Sequence, residues 1–209
     1  MTPDEAFDRI DQARLSRARS LSNTKQKFTS NLFGVDTSNI ASQSVVVLCY
    51  AHWEGFYADC VKTYIDFLVA RGQRVRETNW LFMVGVLDGA FQSLVDRNAS
   101  WEAKLDFVES LETRLDTDFS GFNRTCVKPR SNLDADQIAL NGRILGIQFE
   151  QVHHDRLRIN RQLVKWRHEV AHGNEPDLSD VNIVDHCNLT ISLLLHIADK
   201  FQEKIVSHL

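Results

Sequence analysis

A chain of 209 residues can enclose one sizeable core and leaves little room for a second full domain. Its formal charge of -4 gives no global attraction for nucleic acid, so any polyanion site must be a local concentration of basic side chains. No apolar run approaches membrane-spanning length, and the start MTPDEAFDRIDQARL lacks the basic end and apolar stretch of a secretion signal; the expectation is a cytoplasmic protein with no membrane contact.

Prolines stand only at Pro3, Pro129 and Pro176, which leaves long stretches free of helix breakers and predicts an all-α protein. The first helix is expected over Pro3 to Phe28, with a thin apolar stripe of Phe7, Ile10, Ala13 or Arg14, and Ala18 or Leu21. Thr37-Ser38-Asn39 caps a second, long helix from Ile40 to about Arg71, closed by Gly72 and apolar on most sides. A third is expected from Thr78 to about Asp96, where Gly85 and Gly89 form a small-residue ridge that would let another helix approach closely, with tight core packing the preferred expectation. A fourth runs from Trp101 to about Leu115. The stretch DTDFSGFNRTCVKPRSNLDAD then reads as a long connection carrying Arg124, Lys128 and Arg130.

Asp134 opens a short helix to Leu145, Gly146 breaks it, and a long helix is expected from Phe149 to His172. Gly173 and Pro176 end that helix, so His172 stands at or next to its C-terminus. A last helix begins at Asp177 or Ser179. The whole is read as one domain over 1–209, with 1–36 as N-terminal helix and linker and 37–209 as helical core, the basic connection lying near 119–133. Cys49, Cys60, Cys126 and Cys187 form no C-x-x-C pair and read as buried, reduced thiols.

The stretch RHEVAHGNEP, Arg167 to Pro176, admits two chemistries. His168-Glu169-Val170-Ala171-His172 fits the H-E-x-x-H zinc pattern, with Glu169 as base and Asp185 or His186 as candidate third ligand. No strand is predicted to present a peptide, and the zinc protease is kept as the lesser alternative. Arg167 and His172 instead fit a metal-free phosphodiester site. On an ideal helix they lie roughly 140° apart at about 100° per residue, so gripping one phosphate requires unwinding at Gly173 or a second protomer. His154, Arg158, Arg161, Lys165, His168 and His172 recur at spacings of four and three and predict one basic stripe, opposite an apolar face of Val152, Ile159, Leu163, Trp166 and Val170.

RHEVAHG resembles the R-[N/D/H]-x-x-x-H signature of the HEPN superfamily. AHWEGFYADCVKTYIDFL resembles the early core helix of its MAE-like family, and SNLDADQIALNGRILGI the segment preceding the motif helix, so the likeness spans roughly residues 40 to 205 in the family's order. The resemblance implies a HEPN-like antiparallel helical bundle with additional peripheral helices, no cofactor, and a metal-independent endoribonuclease. Its catalytic residues would be Arg167, His168 and His172, with His168 where asparagine is commoner. Glu54 would support the motif, or pair with Arg167 and hold it. Arg158, Arg161, Lys165, Arg124, Lys128 and Arg130 are expected to bind RNA. A homodimer and an antitoxin or phage-defence partner protein are implied. A non-catalytic HEPN interaction module is the rival reading.

Overall fold

The computed structural model describes residues 1–29, 38–129, 132–174, 178 and 182–209, and among these no strand forms. Three long helices make the framework: α1 (Pro3–Thr29), α2 (Ser38–Ala70) and α9 (Ile183–Val206). α2 is central because it is apolar on nearly every side. Trp53, Phe56, Tyr57, Tyr64, Phe67 and Leu68 on it are fully buried. α1 runs antiparallel to α2, with Phe28 beside Val45 at one end and Arg17 bonded to Asp59 at 2.7 Å further along. α9 runs in the same sense as α2, since Cys49 meets Cys187 near one end and the Tyr64 hydroxyl lies 2.8 Å from His208 Nε2 at the other.

The N-terminal helix is part of this core, not an appendage to it. Of its expected stripe Ile10 and Leu21 are buried and Phe7 and Ala13 partly so; Ala6 is buried beside them, and one hydrophobic cluster draws residues from Ala6 to Ile205. Cys49, Cys60 and Cys187 are buried, as the sequence reading expected, whereas Cys126 is half-buried.

Beyond Ala70 the chain takes two 3-10 turns, Val75–Glu77 and Trp80–Phe82, before α3 (Met83–Asp96), which pairs with α4 (Trp101–Leu115). The third helix therefore starts later than the expected Thr78. Asn79 provides the reason: its side-chain oxygen accepts the Leu81 N–H while its amide donates to the Arg143 and Ile144 carbonyls, which fixes a turn there instead of a helix. The tight core packing expected at Gly85 and Gly89 is met at the first and not at the second. A Cβ at Gly85 would overlap the Phe122 ring of the connection, and nothing lies within 4 Å of one at Gly89.

The connection after α4 is compact. It forms 3-10 turns at Phe119–Gly121 and Arg124–Val127, buries Phe119, Phe122, Val127 and Leu133, and is pinned by Tyr57 and Asn141, which both donate to the Val127 carbonyl. α5 (Ala135–Leu145) follows, capped by Asp134 accepting from Gln137 N–H and ended by left-handed Gly146 at φ 66°. The long helix expected over Phe149 to His172 is present but not regular. It comprises α6 (Glu150–His154), α7 (Arg156–Arg158), a π-helical stretch Ile159–Lys165, and α8 (Trp166–Ala171). Within the π stretch Ile159 and Leu163 both stay fully buried, while Asn160 accepts the first N–H of α5. The expected start of the last helix, at Asp177 or Ser179, lies outside the described residues, as does Thr37 of the α2 cap; α9 begins at Ile183 with Asn182 accepting from Asp185 N–H.

Candidate functional site

α8 ends in a complete Schellman arrangement. Gly173 N–H bonds to the Val170 carbonyl and Asn174 N–H to that of Glu169, with Gly173 at φ 73°, a conformation natural to glycine. His172 is thereby the C-cap, held where the orphan carbonyls of the last turn gather. The His172 and His168 rings lie 4.3 Å apart between centroids, one turn from each other, and both are exposed.

Arg167 points elsewhere. Its guanidinium carbon sits 3.9 Å from the centroid of the Tyr50 ring on α2, and Nη2 donates to Asn132 Oδ1 at 2.6 Å. Nε is buried without a partner, and among the described residues Arg167 forms no ion pair with a carboxylate. Glu54 does not hold the arginine as one reading proposed. Instead it accepts from the Tyr50 hydroxyl at 3.1 Å, and that hydroxyl in turn accepts the buried Leu133 N–H at 2.9 Å. Trp53 on the next turn donates to the Leu133 carbonyl at 3.0 Å. Burial raises the Tyr50 phenol above its ordinary range, with the Leu133 N–H opposing, so the hydroxyl remains a proton donor.

Tyr50 and Asn132 were missed as motif supports by sequence reasoning, although Tyr50 stands four residues before Glu54 on one helix face and Asn132 lies in the quoted SNLDADQ segment. Arg167 is turned to Tyr50 and Asn132, whereas His172 is exposed beside His168. All six residues of the basic stripe are exposed, and of the face opposite Val152, Ile159 and Leu163 are buried, as the pattern predicts, while Trp166 and Val170 are half-buried. The stripe is nevertheless not one straight line. A π turn closes i→i+5 bonds and inserts about one further residue per turn, so Lys165 is rotated relative to Arg158 from its α-helical projection.

The charges along the stripe are loosely held. Lys165 lies 3.8 Å from Glu169, Arg158 lies 3.8 Å from Asp155, and the Arg161 guanidinium sits 5.9 Å from the Trp166 ring. Arg124 and Lys128 are not gathered with them. Arg124 is bonded to Asp66 at 2.6 Å on the far half of α2, and Lys128 lines a groove of about 610 Å³ between α3 and α5. Arg130 lies outside the described residues. The zinc pattern finds no completing ligand among them either: His186 is buried against Trp166, with ring centroids 5.9 Å apart, and no three His, Cys, Asp or Glu side chains assemble as a metal-ligand set.

A family model described as MAE-like HEPN matches residues 7–208. The chain belongs to the MAE-like HEPN family. The match takes in α1 as well as the motif helix, which agrees with the burial of α1 in the HEPN core. Comparison with curated proteins and with solved structures gives no match. Among the described residues, no helix of this HEPN protein is long and apolar enough to cross a membrane.

Proposed function

We propose that this HEPN protein is a metal-independent endoribonuclease acting as a homodimer in the cytoplasm. The observation that carries the reading is the environment of Arg167. A half-buried guanidinium is normally compensated by a carboxylate; here its partners are a neutral amide and an aromatic ring, which fix its direction and leave its charge for an anion. A phosphodiester is the anion that the adjacent chemistry serves. His172 accepts a proton from an RNA 2′-hydroxyl or donates one to the leaving 5′-oxygen, since imidazole exchanges protons near neutral pH, and His168 beside it supplies the second proton-transfer group. Arg167 holds the scissile phosphate and stabilises charge on it in the transition state. The 2′-oxygen bonds to phosphorus as the P–O5′ bond breaks, leaving a 2′,3′-cyclic phosphate and a 5′-hydroxyl.

The homodimer is supported by helix geometry: Arg167 and His172 stand five positions apart, roughly 140° round a helix at about 100° per residue, and a two-fold axis beside two such helices can bring the arginine of one to the histidine of the other. Lys165, Arg161 and Arg158 hold backbone phosphates without reading bases. An antitoxin or phage-defence partner is the setting that the family resemblance implies. One feature favours a second reading, a non-catalytic HEPN interaction module: Arg167 also closes the contact between α8, α2 and the segment at Asn132, as a purely structural arginine would.

Three substitutions separate the two. His172→Ala is expected to abolish cleavage with RNA affinity nearly unchanged. Lys165→Ala should weaken binding across all sequences and lower the salt dependence of affinity by about one phosphate contact, with the chemical step on bound RNA preserved. Arg167→Ala should impair both. Folded protein in which none of the three alters RNA binding or cleavage leaves only the interaction module.

A further inference from the structure

The α3–α4 hairpin stands at the other end of α2 from the motif. Val75 N–H bonds to the Thr117 carbonyl just past Ala70, whereas the motif meets Tyr50, about 30 Å back along the helix at 1.5 Å per residue. On α4, Ala103 is buried and Phe107 and Leu111 are partly buried against the core, with Phe107 stacked on Phe91 of α3 at 5.8 Å. Trp101, Leu105 and Val108 follow at i, i+4 and i+7 and form a second apolar stripe, roughly 130° round the same helix at about 100° per residue, 80%, 59% and 61% exposed. Trp101 alone leaves on the order of 200 Å² of largely apolar surface in water. An amphipathic helix that has already used one apolar face has no need of another for its own fold, and exposed aromatic anchors of this kind mark protein-binding surfaces.

Charge identifies the occupant. Residues 83–115 hold six Asp and Glu against three Lys and Arg, a net of -3 within a chain of -4. Glu102 and Glu109 lie along one edge of the stripe, and among the described residues neither is engaged in an ion pair. The nearest cation on the other edge, Lys104, is folded over the Trp101 ring at 4.7 Å. A second copy of the hairpin would bring like charge against like, so a self-dimer through this face is disfavoured. We propose that α4 docks an amphipathic helix of another protein, with an apolar ridge seated on Trp101, Leu105 and Val108 and Lys or Arg residues facing Glu102 and Glu109. The surface is separate from the motif and stands whether or not the chain cleaves RNA.

The test uses the full chain and two synthetic helical peptides of one Leu pattern, the first with Lys and the second with Glu at the polar positions. Binding is followed by Trp fluorescence and titration calorimetry. The Leu/Lys peptide is expected to bind at least roughly tenfold tighter than the Leu/Glu peptide, with a 1:1 stoichiometry. Leu105→Ser, a change on an exposed position, should weaken that binding about tenfold, and the double variant Glu102→Lys/Glu109→Lys should transfer the preference to the Leu/Glu peptide. Equal affinity for both peptides, or binding indifferent to these substitutions, overturns the proposal. So does self-association of the parent protein that Leu105→Ser abolishes, which would make the occupant a second copy, or vesicle binding lost in that variant, which would make it a lipid surface.

Discussion

Tyr50→Phe isolates the hydroxyl that joins α2 to the segment preceding the motif helix. The substitution keeps the ring on which Arg167 stacks and deletes one oxygen with two bonds, one from the buried Leu133 N–H and one to Glu54. Leaving a buried N–H without an acceptor costs about 1–3 kcal/mol, and this dominates because half-buried Glu54 can regain water. For a chain of this size that corresponds to a fall in Tm of about 2–4 °C per kcal/mol. Urea unfolding followed by circular dichroism should show a lower midpoint at unchanged slope. Single-turnover RNA cleavage should change little, since the guanidinium keeps its platform. Tyr50→Leu, which also removes the cation–π contact of about 0.5–2 kcal/mol, should lose cleavage as well as stability. A Tyr50→Phe protein within about 0.5 kcal/mol of the parent would refute the assignment of this hydroxyl as the tie.

His186 is buried beside Trp166 with neither ring nitrogen bonded, and burial first, the Arg158 charge second, lower it from 6.5 to about 4. The unfolded chain therefore takes up a proton that the folded one refuses, and stability is lost as pH falls from 6.5 toward 4, by at most about 3 kcal/mol. His186→Leu should flatten that acid limb and cost little at pH 7; a limb equally steep in the variant would contradict the assignment. Gly85→Ala places a methyl into the Phe122 ring and should destabilise by about 1–3 kcal/mol, whereas Gly89→Ala, with open space around it, should not. Equal effects on thermal unfolding at the two glycines would show that the α3 ridge packs in some other way.

The helical class was legible because sparse prolines and long apolar periods leave few alternatives to helices, and the end of α8 could be read from Gly173 alone, since only the cap geometry is local there. The late start of α3 was not legible: Asn79 reaches the carbonyls of Arg143 and Ile144, sixty-odd residues away, and no local pattern encodes that. The π stretch was hidden for a similar reason. Its sequence INRQLVK has no breaker, and its register is set by burying Ile159 and Leu163 and by Asn160 reaching α5. At the site, Arg167, His168 and His172 were visible as a motif, but what surrounds Arg167 was not. The pairing expected with Glu54 turned out to pass through Tyr50, a residue with an ordinary core-like setting in the sequence. Arg124 looked like a free cation only because Asp66 is distant along the chain.

In the function proposed above, the α8 end breaks RNA phosphodiester bonds with the protein's own side chains. The most direct measurement incubates purified protein with total RNA in the presence of EDTA and maps the new termini, beside His172→Ala prepared in the same way. Fragments ending in 2′,3′-cyclic phosphate and 5′-hydroxyl are expected to appear in EDTA and to vanish in His172→Ala. Cleavage that stops with EDTA and survives His172→Ala would contradict the proposed function.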